Sequence, residues 1–397
     1  MHLKEKSKGV MVGLASGDAL GALAENIPNE YQTKRIEFMA APLPLKTLIE
    51  QANTELTFNH LQTYIDTMCL PGLYTDDTQQ ALCVAHSLIT NKGVNQRNLA
   101  NLYIKGARQP GYTDYGIFRH AGPGFRKSVN NLMIFKPLHT SGVVSAGNGA
   151  AMRIAPIGIY FRDNIDQLLR ATIDLSLITH RDIRGIAAAG LISYTVAYLF
   201  NKSWPTFDSN HFLAELNVFI HELENIIIQD YPTVDFTSET KHQVSNSLVI
   251  LDIWTANHEA AVTTLTNWAR LTSGNSLCKH NSPFALASVL YSLYLFINRG
   301  IDWENAVLTA VNGGGDADTI AAMVSAMCGA IHGYSNIPTN WTEKLLNIKY
   351  LEEISETLIT GQKSWLDFIE TEKQLCKMEI EYRNKFRKIL HASLGFS

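Results

Sequence analysis

Gly313-Gly314-Gly315-Asp316-Ala317-Asp318-Thr319 runs directly into residues 320–331, which carry Ala321, Ala322, Ser325, Ala326, Gly329 and Ala330. Small residues three and four apart follow the helical period and let neighbouring helices approach closely. The spacing predicts a buried helix that opens at a glycine-rich turn bearing two carboxylates. Residues 284–297 repeat the period through Phe284, Ala287, Ser288, Tyr291, Tyr294 and Leu295. Apolar or small side chains lie all round this segment, so it belongs in the centre of a helical protein. Residues 79–90, 186–200, 212–228 and 306–311 read the same way, and alternating strand patterns are scarce. The fold class expected is all-α.

Composition narrows the partners. The 397 residues are 46% hydrophobic and 18% charged, ample for a large core, and 33 Lys plus Arg against 37 Asp plus Glu leave a formal charge of -4. That balance offers no electrostatic grip on nucleic acid or an anionic membrane. Cys69, Cys83, Cys278, Cys328 and Cys376 are odd in number and contain no Cys-x-x-Cys pair, which favours reduced thiols and a cytoplasmic location. Ser16, Gly17 and Asp18 cut the N-terminal apolar run short of an export signal. Segments 186–200 and 284–297 fall short of the roughly 20 apolar residues of a membrane span.

Two stretches put carboxylates at helix starts: Tyr74-Thr75-Asp76-Asp77-Thr78 and Gly314-Gly315-Asp316-Ala317-Asp318-Thr319. Thr and Asp are ordinary N-caps, because their oxygens accept the orphan N–H groups of a first turn. Capping needs one oxygen per helix, however, not two carboxylates flanked by a hydroxyl. If the two starts meet, the like charges raise one another's pKa or recruit a cation, and all-oxygen ligands select Mg, Mn or Ca.

Further segments make the pattern specific. Gly13-Leu14-Ala15-Ser16-Gly17-Asp18-Ala19-Leu20-Gly21 ending at Glu25, Thr75-Asp76-Asp77-Thr78, Gly147-Asn148-Gly149-Ala150-Ala151-Met152-Arg153, Thr179-His180 and Gly314-Gly315-Asp316-Ala317-Asp318-Thr319 together resemble the ordered motif set of the ADP-ribosylglycohydrolases. The resemblance implies an orthogonal multi-helix domain with two Mg or Mn ions in a cleft. Their ligands would be Thr75, Asp76, Asp77, Asp316, Asp318 and Thr319, with Glu25 at or near them. It implies hydrolysis of the bond joining ADP-ribose to an acceptor, with Glu25, Asp316 or Asp318 as the base. Gly122, Pro123, Gly124, Ser145, Gly147, Asn148, Gly149, Met152 and His180 would hold ADP-ribose. Arg153 suits either a phosphate or a structural ion pair.

On this reading residues 1–397 are one domain, with the motifs in 9–333, irregular or inserted segments at 26–70 and 201–242, and an amphipathic helix at about 365–390 packed at the edge. The 26–70 segment is expected to rim the cleft and carry specificity. Where relatives often show Asp-x-Gly, this chain offers His120-Ala121-Gly122 or Asp114-Tyr115-Gly116, which clouds the acceptor. The partners expected are an ADP-ribosylated protein and the ADP-ribose product, without nucleic acid or membrane. Arginine is the first choice of acceptor, followed by O-linked serine or small ADP-ribose conjugates. The competing readings are a non-catalytic relative and an immunity protein that blocks a transferase toxin by contact.

Overall fold

A computed structural model describes residues 2–25, 55–361 and 367–393. The longer helices are α1 (His2–Glu25), α2 (Glu55–Thr67), α3 (Asp76–Asn91), α4 (Gln96–Ala107), α5 (Pro123–Met133), α6 (Ile165–Leu177), α7 (Ile183–Leu199), α8 (Ser209–Asp230), α9 (Gln243–Ile250), α10 (His258–Ser273), α11 (Ala285–Arg299), α12 (Trp303–Asn312), α13 (Ala317–His332), α14 (Ile348–Thr360) and α15 (Phe368–Ser393). Only isolated bridges, no strands, occur among the described residues.

The helix pair that places the site is α1 against α13. Gly9, Gly13, Gly17 and Gly21 recur every four residues, so they line one face of α1. A Cβ at each would meet, in turn, Gly329, Ser325, Ala321 and Asp318 of α13. The two helices are therefore antiparallel and in near-backbone contact, an approach only side chains this small allow. The consequence is positional: the C-terminal end of α1, with Glu25, is laid against the first turn of α13. α1 was not among the helices expected from periodicity. The Ser16-Gly17-Asp18 interruption that argued against an export segment lies inside it, and Gly17 there is a docking residue.

α11 is buried from Ala285 through Phe296, as its all-round pattern predicts. One expectation for the flanking segments needs correction. Within 26–70, residues 26–54 lie outside the described residues, but 55–67 form α2, with Leu61 and Ile65 fully buried, and are not irregular. In the segment 201–242 the helical period expected over 212–228 appears as α8, which packs Phe219, Ile220 and Leu223 against Gly190 of α7. Its buried Glu224 accepts from Val244 N at 3.0 Å and Ser245 Oγ at 2.5 Å, capping the start of α9.

α15 is also more than an edge helix. Its fully buried Glu372 accepts from Tyr74 Oη at 2.7 Å and Gln79 Nε2 at 2.6 Å, and pairs with Arg119 Nη1 at 2.9 Å. Residues 365 and 366 of the expected segment lie outside the described residues. No described helix is long and apolar enough to cross a membrane, and all five cysteines are free.

Candidate active site

Three helix ends meet: the start of α3, the start of α13 and the end of α1. The capping reading fails at both starts, since Thr75 and Asp316 occupy the N-cap positions and neither side chain makes a capping bond. At α3 the cap comes from another helix. Asp18 of α1 accepts from Thr75 N and Oγ1 at 2.9 and 2.8 Å, and from Thr78 N and Oγ1 at 3.0 and 2.6 Å. With its proton directed to Asp18, the Thr75 hydroxyl keeps its lone pairs free. Asp18 was quoted only as part of a motif; a carboxylate among the docking glycines was the available signal.

At α13 the glycines work as the sequence suggested. Gly315 adopts φ 67° and packs so tightly on Asn281 that no side chain fits, while Asp316 N donates to Asn281 O at 2.9 Å. Carboxylate oxygens of Glu25, Asp316 and Asp318 lie within 4.8 Å of one another. Asp316 Oδ2 accepts from Asn148 Nδ2, whose amide also donates to Ser288 Oγ at 2.9 Å. Asp76 Oδ2 accepts from Gln80 Nε2 at 2.6 Å, and Arg153 Nη1 holds Gln80 Oε1 at 2.8 Å. Asp77 Oδ1 is buried with no hydrogen-bond partner.

The electrostatics follow from burial without counter-charge. Desolvation first, then the Asp318 charge, lifts Asp76 from 3.8 to about 8, and desolvation with Asp316 lifts Asp318 to about 7. Burial lifts Asp316 and Asp18 to about 6 and pushes Asp77 well up. Glu25 is raised chiefly by the Asp318 charge, with which it shares a hydrogen bond, and then by desolvation. Among these carboxylates it alone belongs to a solvent-exposed residue. An orphan buried carboxylate oxygen beside four other acids suits hard divalent cations, so the residues fit the group their pattern suggested.

The acids line a cleft of about 490 Å³. Glu25, Asp76, Asp77, Asp316, Asp318 and Thr319 line it together with Gly122, Pro123, Gly124, Ser145, Gly147, Asn148, Gly149, Met152 and His180, while Thr75 stands behind them. Gln80, His120, Ala121, Phe125 and Pro283 also line it and were not picked as site residues, and so does Arg153, which the sequence left between a phosphate and an ion pair. Gln80 was findable one helical turn after Asp76. Arg153 is fully buried and bonded to neutral groups, Gln80, Thr179 and the Leu175 carbonyl, and among the described residues it has no ion-pair partner. His180 is held by Thr179 Oγ1 at 2.8 Å and lies under Gly149, and burial lowers it to about 3, leaving a neutral ring. His120-Ala121-Gly122 is the stretch on the cleft; Asp114 instead pairs outside with Arg126 at 2.6 Å.

The sequence profile of the ADP-ribosylglycohydrolases matches residues 1–367. The chain belongs to this family. Among relatives, an uncharacterised protein of Archaeoglobus fulgidus is 28% identical over 90% of this chain and 96% of its own. The ADP-ribosylarginine hydrolase Tri1 of Serratia proteamaculans is 23% identical over 89% and 79% of the two chains. The ADP-ribosylhydrolase ARH3 of Danio rerio is 24% identical over 88% and 89%. A solved chain described as an ADP-ribosylglycohydrolase-related protein complex superposes with TM-score 0.60 at 22% identity, over 91% of this chain and 99% of that one, and shares the all-α fold.

Proposed function

We propose that this ADP-ribosylglycohydrolase family member acts as a single catalytic unit, a divalent-cation-dependent hydrolase that releases ADP-ribose from a modified protein side chain, with arginine as its first acceptor. The observation that carries the reading is the orphan Asp77 Oδ1 buried among Asp76, Asp316, Asp318 and Glu25 in the wall of a cleft. Thr75, Asp76, Asp77, Asp316, Asp318 and Thr319 would hold two Mg or Mn ions. Bound there, the cations supply Lewis acidity toward ribose hydroxyls and lower the pKa of an attacking water.

The rest falls to the chain. Asp18 fixes Thr75 and Thr78, Asn148 aims Asp316, and the Arg153–Gln80 pair aims Asp76. Glu25 shares a proton with Asp318 in the cation-free site; ionised beside bound cations it would take the water proton, and the residue is open to solvent for proton exchange. At Gly122 and Gly124 the backbone is unobstructed, with open space or only Val143 near a built Cβ. Together with Ser145, Gly147 and Gly149, this edge suits the diphosphate of ADP-ribose. The neutral His180 ring, with Met152, suits an uncharged part of the ligand.

Tri1, named for arginine, supports the acceptor, while ARH3, whose name gives no acceptor, is as similar; O-linked serine or a small ADP-ribose conjugate is the runner-up. The test is release of ADP-ribose from arginine-, serine- and cysteine-modified proteins with Mg or Mn, then with chelator, for the wild type and Asp318→Ala. We expect cation-dependent release from arginine, lost in the variant. Activity that survives chelation, or is unchanged by Asp318→Ala, would overturn the cation role; release from serine alone would move the acceptor.

A further inference from the structure

At the cleft wall that His120 lines, a second set of ligating side chains, distinct in its donors from the acidic cluster, comes together from three distant parts of the chain. Cys69 follows α2, His120 precedes the Gly122 turn, and Glu379 lies in α15, beyond the residues 1–367 that the family profile matches. One ligating atom from each lies within 4.8 Å of the other two. Cys69 Sγ is 3.2 Å from His120 Nε2, and Cys69 and Glu379 are 6% and 3% exposed.

The placement is held from every side. His120 adopts φ 59°, a left-handed backbone that a non-glycine residue takes only where its surroundings impose it. The neighbouring Arg119 supplies that constraint by donating N to Gln79 Oε1 at 2.9 Å and Nε to Tyr74 O at 2.8 Å, besides its ion pair with Glu372. Among the described residues Glu379 receives only long contacts, from Leu70 N and from Arg383 Nη2, each at 3.3 Å, so its carboxylate retains lone pairs. A thiol–imidazole hydrogen bond alone would need neither the third residue nor the strained backbone.

We propose that Cys69, His120 and Glu379 bind one borderline divalent cation of the zinc type, tying α15 and the end of α2 to the rim of the cleft. Sulfur, nitrogen and oxygen donors distinguish this site from the all-oxygen cluster, and three protein ligands leave a fourth position open. Binding replaces the Cys69 thiol proton with the cation and releases that proton to solvent. Burial keeps His120 neutral and Cys69 protonated until then. The inference does not depend on the reaction in the cleft.

The full chain, stripped with chelator and held in excess Mg, is titrated with Co2+. The expected result is one equivalent bound with a thiolate-to-cobalt charge-transfer band that is lost in Cys69→Ser and kept in Cys376→Ser. Glu379→Gln should weaken binding by about 10-fold or more. A missing band in the wild type, or a band that survives Cys69→Ser, would overturn the site. Should Cys69→Ser fail to fold, zinc X-ray absorption on the wild type decides: one sulfur neighbour at about 2.3 Å supports the site, and an all-oxygen shell refutes it.

Discussion

Gly21→Ala is the sharpest test of how the α1–α13 seam builds the site. An alanine Cβ at this position would fall 2.3 Å from Asp318 Cα, whereas ordinary contacts begin at 3.4 Å. No flexible side chain stands there to yield, because the neighbouring atoms belong to the backbone of Ala317 and Asp318. The helices must separate by about 1 Å, and overpacking of this kind costs roughly 1–3 kcal/mol. Alanine's better helix propensity returns up to about 1 kcal/mol. The net loss expected by denaturant unfolding is therefore at most about 3 kcal/mol, and about 0–2 kcal/mol where the full propensity gain is realised. Mg demands near-ideal octahedral geometry, so moving Asp318 relative to Asp76 and Asp77 should weaken Mg binding by about tenfold or more in calorimetric titration, and Mn less. Gly13→Ala is the control: its Cβ would meet Ser325 O and Trp303 Cζ2 at 2.8 Å in the same seam, about two turns from Gly21 and Asp318. It should lose stability without losing cation affinity. Refutation would be a Gly21→Ala protein with wild-type Mg affinity, or equal affinity losses in the two variants.

Other consequences follow from buried charge. Asp316, Asp318 and Asp76 have folded-state pKa values raised to about 6, 7 and 8, so the cation-free fold binds protons more tightly than the unfolded chain. Their contribution is most favourable below pH 4 and is lost as pH rises toward 8; a carboxyl moved from 3.8 to about 6 accounts for about 3 kcal/mol. Buried histidines such as His180 act in the opposite direction, so the quantity to measure is the difference in melting temperature with and without saturating Mg. That gap should widen from pH 4 to pH 8, and a constant gap would contradict the reading. Glu372→Gln strands the buried Arg119 guanidinium and should cost about 3–5 kcal/mol in denaturant unfolding. Replacing both residues with Met should recover much of the loss; a Glu372→Gln protein as stable as wild type would remove α15 from the supporting shell.

The cluster's ligands were legible because they are contiguous. Thr75-Asp76-Asp77 and Asp316-Ala317-Asp318-Thr319 each put several oxygens within one helical turn, a density that capping does not need. The all-α fold was legible for a related reason: small residues at helical spacing in 320–331 can serve only close helix packing. What supports the site is built differently. Asp18, Asn148 and Arg153 lie inside motifs that the sequence shows, but their bonds to Thr75 and Thr78, to Asp316 and to Gln80 are made by tertiary approach and no motif spacing gives them. Glu372 lies in no motif, and nothing local distinguishes it from an ordinary polar side chain of an amphipathic helix.

That division also explains how the fold tolerates so much buried acid. Asp76, Asp77 and Asp318 lie in the first turns of α3 and α13, where orphan N–H groups and the helix dipole favour negative charge. Asp18 takes over the cap at α3, satisfying Thr75 N and Thr78 N, so the aspartates that follow need not turn back onto the backbone. At α13 the amide of Asn148 holds Asp316 forward, away from a capping bond. In each case a residue from another helix relieves an acid of the structural work its position would otherwise demand. Asp77 Oδ1 keeps no protein partner at all. The seam glycines complete the arrangement, because only backbone contact between α1 and α13 brings Asp18 to one helix start and Glu25 to the other.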